Sequence, residues 1–235
     1  MDEAPVITVD GPSGSGKGVV CSDLSQILNW HLLDSGAIYR GLALAALKQG
    51  IDLDDENTLA RFAKTLDIHF KHNSATNGIS TYLGDEEVSG QIRTETCGNA
   101  ASKIATYEAV RKSLLARQRG FQQFPGLVAD GRDMGTVVFP HAPVKIYPSA
   151  SQEERANRRY KQLKEQGFSV NLARLSAEIA ERDVRDQGRT QSPLKPAPDA
   201  VVIDTTDIEV KQVVKQILEI TKTVFPKLSY QLPIN

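Results

Sequence analysis

Cysteine is scarce in this sequence, and neither sign of charge is in excess. The 235 residues include two cysteines, Cys21 and Cys97, which lie far apart and lack metal-ligand spacing. Two cysteines do not form a disulfide framework, so the sequence favours a reducing compartment. The formal net charge of −1 argues against a protein that coats nucleic acid, although a local basic site is compatible with it.

Long apolar runs are also absent. No stretch approaches the roughly 20 apolar residues of a membrane-spanning helix. The first ten residues, MDEAPVITVD, are acidic and lack the basic start and apolar stretch of a secretory leader. We therefore expect a cytoplasmic protein with no membrane partner and no nucleic-acid partner. No extra apolar patch stands out in the sequence, so we expect a monomer.

Short β-branched runs alternate with helical periodicities along most of the chain. This order predicts an α/β fold, in which helices cover both faces of a parallel sheet. Ligands bind such sheets at the carboxyl ends of the strands, so the loops at 11–18, 34–40, 130–135 and 204–207 matter most. The strands are predicted at 5–10 and 31–33, in GLVADGRD (126–133), in PVKIYPSAS (143–151) and at 200–204.

The helices are predicted from apolar residues that recur at helical spacing. One continuous helix is expected from Asn99 to Phe121, and capping boxes at Ser151-x-x-Glu154 and Thr206-x-x-Glu209 are expected to start two others. Pro148 donates no hydrogen bond, so its strand is expected to end before it. Residues 68–90 alternate instead and contain Asn77-Gly78, which predicts an antiparallel hairpin inserted into the α/β chain.

The stretch GPSGSGKG at residues 11–18 is nearly the phosphate-binding loop G-x-x-x-x-G-K-[ST]. Glycines allow the backbone to offer several N–H groups to a phosphate, and Lys17 adds a point charge. The last position should carry a hydroxyl for Mg²⁺ but is Gly18, so the ion would be held by phosphate oxygens and water. A surface turn rich in small residues is the alternative. The position of the loop between a strand and a helix favours the phosphate site.

Arginines follow the strand ends where a second phosphate would lie. Arg40 and Arg132 lie on two of the predicted loops, and Arg182, Arg185 and Arg189 share one helix face. Transfer of a phosphoryl group brings polyanions together, and the planar fork of arginine suits this task. The alternative for the helix is a solvated charged face.

GPSGSGKG, together with LLDSGAIYR, GRDMGTVVFP and ERDVRD, resembles the bacterial cytidylate kinases over nearly the whole chain. The resemblance implies a P-loop fold with a five-stranded parallel sheet flanked by helices, an antiparallel β-containing insert that binds the nucleoside monophosphate, and a short lid. It also implies a single kinase unit, with the core at 1–35, 103–150 and 168–225, the insert at about 36–102, the lid at about 151–167 and a tail at 226–235.

The same resemblance implies the site residues and the substrates, ATP with Mg²⁺ and CMP or dCMP. No protein side chain would bind the metal directly. Four side chains would be catalytic, namely Lys17, Arg132, Arg159 and Arg189. ATP would be bound by Gly11, Pro12, Ser13, Gly14, Ser15, Gly16, Lys17, Gly18, Arg155 and Arg158. CMP would be bound at its phosphate by Arg40, Arg132 and Arg189, at its base by Ser35, Arg111 and Asp133, and at its sugar by Ser102, Arg182 and Asp186.

Two other functions are compatible with a phosphate-binding loop. One is a small-molecule kinase of the same fold with a different acceptor, and the other is an ATPase or nucleotide-gated switch. The arginines on the acceptor side argue against a switch, which has no second anion to hold. Asp133 argues for cytosine, because a fixed carboxylate accepts a hydrogen bond from its exocyclic amine and would repel the O4 of uracil. Asp34 and Asp130 are open between a structural role and a position near Mg²⁺.

Overall fold

The computed structural model describes residues 3–73, 78–165, 167, 169–190 and 192–228. Asn77, in the predicted hairpin turn, lies outside these ranges. The chain divides into two compact units, one of Met1–Leu33 with Phe121–Asn235 and one of Asp34–Gly120. The bounds that the sequence predicts for the insert, the lid and the tail stay predictions.

The strands and helices follow one another largely as predicted. The strands are β1 (Val6–Asp10), β2 (His31–Asp34), β3 (Ile68–Asn73), β4 (Gly78–Leu83), β5 (Glu86–Glu87), β6 (Leu127–Gly131), β7 (Val144–Ser149) and β8 (Val201–Asp204). The helices are α1 (Lys17–Leu28), α2 (Ser35–Lys48), α3 (Glu56–Thr65), α4 (Glu95–Ile104), α5 (Glu108–Arg119), α6 (Gln152–Glu165), α7 (Leu172–Gln187) and α8 (Val210–Val224).

The first unit is built on a five-stranded sheet with the order β2-β6-β1-β7-β8. The predicted five-stranded parallel sheet flanked by helices is confirmed. β1 lies at its centre with all five residues buried, as expected for a parallel strand covered on both faces. Ile7 and Val9 of this strand pack in one core with Leu24 of α1 and Ile217 of α8. Each such side chain contributes about 1.5–3 kcal/mol through burial.

The second unit contains the predicted antiparallel sheet, here of three strands in the order β3-β4-β5. The continuous helix predicted from Asn99 to Phe121 is wrong, because α4 ends at Ile104 and α5 begins at Glu108. Contacts with distant residues replace the helical bonds at this break. The Tyr107 hydroxyl donates to the Leu53 carbonyl at 3.1 Å, and the Ala109 N–H donates to the Glu56 carboxylate at 2.8 Å.

β7 continues through Pro148, contrary to the sequence expectation. β1 pairs with β7 only as far as Ile146, whereas β8 pairs as far as Ser149. The Pro148 carbonyl faces Gly11, where an added Cβ would lie 2.6 Å from its oxygen. The N and C=O of one strand residue point to the same side. The Pro148 nitrogen therefore faces the β1 side, where β1 no longer pairs with β7. The lack of an N–H group at Pro148 removes no hydrogen bond from the sheet.

Two local predictions near the loops also need correction. Thr206 does not cap α8, since its hydroxyl donates to Asp204 at 2.6 Å and Glu209 forms the capping box with Gln212. The loop predicted at 130–135 is shorter than expected, because β6 continues to Gly131 and a turn of π-helix, Met134–Val138, begins within the predicted loop. Among the described residues no helix is both long and apolar enough to cross a membrane.

Candidate active site

The glycine loop connects β1 to α1 and has the backbone of an anion site. Gly14 and Gly16 have φ values of 80° and 83°, in the left-handed region that side chains disfavour. Gly16 is also the N-cap of α1, so the positive end of that helix lies at the loop. The buried Ser15 hydroxyl donates to the Pro12 carbonyl at 3.0 Å and holds the loop together from within.

Lys17 lies over this loop with its side chain largely buried. Its Nζ donates to the Pro12 carbonyl at 3.2 Å and lies 3.9 Å from Asp130 Oδ1, at the end of β6. A Cβ added at Gly18 would lie 3.6 Å from Asp130 Oδ2, which is an ordinary contact distance. A larger side chain at position 18 would therefore fit without a clash. The Asp130 carboxylate lies beside this position, where related loops carry a hydroxyl.

Asp186 brings two of the predicted arginines together. Its carboxylate is buried and accepts hydrogen bonds from Arg132 Nε, at 3.1 Å, and from Arg189 Nη2. Burial alone would raise the pKa of Asp186, but Arg132, Arg189 and Arg182 outweigh it and hold the pKa below its ordinary value. Burial likewise opposes the charge on Arg132, and the carboxylates of Asp186 and Asp130 outweigh it and raise the pKa.

Asp10 is a site residue that the sequence analysis missed. Its buried carboxylate, at the end of β1, accepts hydrogen bonds from Met134 N at 2.8 Å and Gly135 N at 2.7 Å. It thereby anchors the π turn that follows Asp133, which is itself buried. Burial raises the pKa of Asp10 to about 7, and nearby Asp133 and Asp130 add to the rise, while the two N–H groups oppose it.

The three arginines predicted on α6 differ in their surroundings. Arg155 is buried and bonded to Ser13 O, to Ala150 O and to Asp183. Arg158 donates to Glu154 and to the hydroxyl and carbonyl of Thr205. Arg159 is half-buried and donates to Gln162 at 2.8 Å. Arg158 Nη1 also lies 3.8 Å from the position of a Cβ on Gly16.

The second unit holds the remaining predicted residues, Ser35, Arg40, Ser102 and Arg111. The Ser35 hydroxyl donates to Gln118 Oε1 at 2.7 Å, and both side chains are buried. Arg40 Nη2 lies 3.6 Å from Asp34 Oδ2, and the buried Arg40 Nε has no hydrogen-bond partner among the described residues.

Arg111 and Ser102 lie in the same unit. The Arg111 guanidinium lies over the Tyr39 ring, with 5.9 Å from its carbon to the ring centroid, and Nη1 donates to the Ala105 carbonyl at 3.3 Å. Ser102 is buried in α4. Asp34 caps α2, because its Oδ1 accepts a hydrogen bond from the Ala37 N–H at 2.8 Å.

Asp183 and Gln118 belong with Asp10 among the residues that sequence reasoning missed. Each is a buried or nearly buried polar side chain whose partner is remote in sequence, so no local motif marks it. Their positions in the sequence could have indicated two of them. Asp10 ends the strand before the glycine loop, and Asp183 precedes Asp186 by three residues on one helix. Among the described residues, no group of three or more His, Cys, Asp or Glu side chains has the arrangement of a metal site.

A strand, a glycine loop, a lysine and a helix, together with Arg132 directly after the neighbouring strand β6, define the class of P-loop phosphotransferases. The sequence model of the family described as "Cytidylate kinase" matches residues 7–223. The chain belongs to the cytidylate kinase family and is an enzyme that transfers a phosphoryl group.

Individual relatives agree with the family model. A cytidylate kinase of Shigella boydii serotype 4 (strain Sb227) is 57% identical over 217 residues, 92% of this chain and 94% of the relative. One of Shewanella frigidimarina (strain NCIMB 400) is 57% identical over 218 residues, 93% and 95% of the two chains. Among solved structures, a gluconokinase from Sinorhizobium meliloti 1021 is 12% identical, with a TM-score of 0.48 over 97% and 98% of the two chains. A score of that size carries no argument about function.

Asp10→Asn tests the electrostatics of this site. The folded pKa of about 7 lies above the ordinary value of 3.8, so the folded state keeps a proton that the unfolded state loses. The stability that this proton contributes is fully present below about pH 4 and is lost as the pH rises through 7. The unfolding free energy of the wild type minus that of Asp10→Asn should therefore fall by roughly 2 kcal/mol between pH 5 and pH 8.

Urea denaturation across that pH range measures the difference. Asp85→Asn, at an exposed carboxylate, is the matched control and should give a flat difference. A flat difference for Asp10→Asn as well would mean that Asp10 is ionised throughout, and would contradict the described electrostatics.

Proposed function

We propose that this protein catalyses the reaction ATP + CMP to ADP + CDP, and the same reaction with dCMP, by direct in-line transfer. Membership of the cytidylate kinase family supports this activity. The observation that carries the proposal is the buried Asp186 carboxylate with Arg132 and Arg189 bonded to it. Two largely buried arginines on one carboxylate suit a second anion, and an ATPase or switch has no use for a second anion.

The donor phosphates would be bound by the loop from Gly11 to Gly18. Its amides and the N-terminus of α1 offer N–H groups, and Lys17 would supply charge to the β and γ phosphates. Arg159 and Arg158 on α6 would approach the γ phosphate when residues 151–167 close as a lid. Arg158 would first have to leave its partners Glu154 and Thr205. Closure would exclude water, which would otherwise take the phosphoryl group. Arg155 lies in the same helix, but its guanidinium is bonded to Ala150, Ser13 and Asp183.

Mg²⁺ would accompany ATP. The residues fit this ion: the Asp130 carboxylate lies 3.9 Å from Lys17 Nζ and close to Gly18, and a carboxylate there can accept hydrogen bonds from metal-bound water. The ion would be held by phosphate oxygens and water, and would neutralise charge on the β and γ phosphates.

The acceptor phosphate would be bound by Arg132, Arg189 and Arg40, as the family resemblance implies. The unbonded Nε of Arg40 is suited to such an oxygen. Asp186, with Arg182, would also contact the sugar, as would Ser102. The acceptor phosphate is already anionic and is itself the nucleophile, so no general base is needed. The work of the protein would be positioning and charge neutralisation.

The cytosine base would be read by Asp133, Ser35 and Arg111. Asp133 accepts a hydrogen bond from the exocyclic amine of cytosine but would face a like-signed oxygen on uracil. The Ser35 hydroxyl hydrogen is engaged by Gln118, so Ser35 has only acceptor capacity left for a base. Both groups therefore favour the amine. Arg111 would donate to O2 and N3 of the ring.

The cellular setting follows from the same proposal. A cytidylate kinase serves pyrimidine nucleotide metabolism, and its substrates are small-molecule nucleotides. We propose a monomer in the cytoplasm. Both cysteines are buried, which keeps them from oxidants and agrees with a reducing compartment.

ADP release with Mg-ATP and a panel of acceptors tests the activity. The panel is CMP, dCMP, UMP, AMP, GMP and no acceptor. We expect strong turnover with CMP, a kcat/KM lower with UMP by about 10- to 100-fold, and none without acceptor, because an unpaired buried polar group costs about 1–3 kcal/mol. Release that ignores the acceptor would indicate an ATPase or switch. A preference for another acceptor would indicate a different kinase.

Asp133→Asn tests the reading of the base. The amide can donate to the O4 of uracil, so the ratio of kcat/KM for CMP to that for UMP should fall by at least about tenfold. The affinity for ATP should stay within twofold of the wild type. Asp85→Asn is again the matched exposed control and should leave the ratio unchanged. An unchanged ratio in Asp133→Asn would remove Asp133 from base recognition.

A further inference from the structure

The guanidinium of Arg155 is buried beside the glycine loop, and each of its three nitrogens donates a hydrogen bond to a protein group. Nη1 donates to the Ser13 carbonyl at 3.1 Å, Nε to the Ala150 carbonyl at 3.1 Å and Nη2 to Asp183 Oδ2 at 2.6 Å. Only 7% of the side chain is exposed. An arginine with these partners would have to break its bonds to Ser13 and Asp183 before it could turn to a phosphate.

The backbone of Arg155 supports the same part of the loop. A Cβ added at Gly14 would lie 2.9 Å from the Arg155 carbonyl oxygen and 3.0 Å from Arg155 Cβ. The first turn of α6 therefore packs directly against Gly14, whose φ is 80°. The peptide between Ser13 and Gly14 is held by the Arg155 guanidinium through its carbonyl and by the Arg155 backbone through Gly14.

Asp183 connects this support to the acceptor side of the first unit. It lies on α7, three residues before Asp186, whose carboxylate binds Arg132 and Arg189. Its Oδ2 bonds to Arg155, while its buried Oδ1 has no hydrogen-bond partner among the described residues. Burial of a carboxylate with one unbonded oxygen costs desolvation free energy, and the bond to Arg155 offsets part of that cost. An apolar residue at position 183 would avoid the cost altogether.

We propose that Arg155 and Asp183 are a positioning pair for ATP. The pair fixes the Ser13–Gly14 peptide and thereby the direction of the loop N–H groups, and Arg155 acts through the Ser13 carbonyl rather than on a phosphate. This role rests on the proposed function in one respect, that ATP is the ligand of the glycine loop.

Two conservative substitutions separate this role from direct phosphate binding. Arg155→Lys keeps the charge but cannot make the three bonds, and Asp183→Asn keeps the shape but removes the charge that orients the guanidinium. If Arg155 bound a phosphate directly, Asp183→Asn would release its guanidinium and would not weaken ATP binding. If Arg155 instead positions the loop, both variants disturb its orientation and both weaken ATP binding.

The measurement is the dissociation constant of the magnesium complex of an ATP analogue with an imido β,γ bridge. We expect each variant to raise it by about tenfold, and the double variant to raise it no further, because both substitutions remove one interaction. The KM for CMP should stay within twofold. Amide hydrogen exchange at Gly14–Lys17 without nucleotide should be faster in both variants.

The matched controls are Arg174→Lys and Glu178→Gln. They alter an arginine–carboxylate pair on α7, the helix of Asp183, with an exposed arginine, a half-buried glutamate and 2.9 Å between Arg174 Nε and Glu178 Oε1. These variants should leave ATP affinity unchanged. If Asp183→Asn does not fold, Asp183→Glu displaces the carboxylate without removing the charge. For Asp183→Glu we expect the dissociation constant of the ATP analogue to rise about threefold and the KM for CMP to stay within twofold.

Three results would overturn the proposal. Loss of ATP affinity in Arg155→Lys alone would make Arg155 a phosphate ligand. Equal losses for ATP and CMP would indicate general packing, and effects that multiply in the double variant would mean that the residues act separately. A wild type that binds the analogue but shows no CMP-dependent ADP release would contradict the proposed function, while the binding data on the loop would still test the pair.

Discussion

Arg132 and Arg189 reach the same buried carboxylate, that of Asp186, from two different segments of the chain. Two guanidinium groups repel each other, and burial strengthens the repulsion because little water screens it. A single carboxylate between them makes the arrangement stable, and its low pKa keeps it charged across the physiological range. In the proposed function, the acceptor phosphate would find positive charge already in place at this cluster, so little reorganisation would be needed at the moment of reaction.

The rest of the first unit can be understood as support for that cluster and for the neighbouring glycine loop. The central strand β1 ends at Asp10, whose buried carboxylate anchors the π turn after Arg132 and Asp133. The strand then runs directly into the glycine loop. One strand end therefore fixes the glycine loop covalently and the π turn by hydrogen bonds. The parallel sheet makes this possible because neighbouring strands end on the same edge.

The regular parts of this architecture could be predicted because each leaves a local signal. β1, the glycine loop and the helix α1 follow from β-branched residues, glycine spacing and apolar periodicity. Elements decided by remote contacts could not be predicted: the break at Tyr107 is stabilised through Leu53. The continuation of β7 through Pro148 depends on where a neighbouring strand stops.

The candidate site divides in the same way. Residues in motifs, such as Lys17 and Arg132, could be selected from the sequence, and their roles stay predictions. Asp10, Gln118 and Asp183 carry no motif, because their partners lie far away along the chain or are backbone groups. A carboxylate that accepts two amides more than 120 residues away is visible only when the fold is known.

In the proposed function, Asp186 gathers the arginines that bind the acceptor phosphate. Calorimetric titration of Asp186→Asn with CMP and with the imido ATP analogue tests this role. We expect the dissociation constant for CMP to rise by at least about tenfold, since a charge-assisted pair is lost on both arginines, and that for the analogue to stay within twofold. Unchanged CMP affinity in a folded Asp186→Asn protein would show that Asp186 does not gather these arginines for the acceptor phosphate.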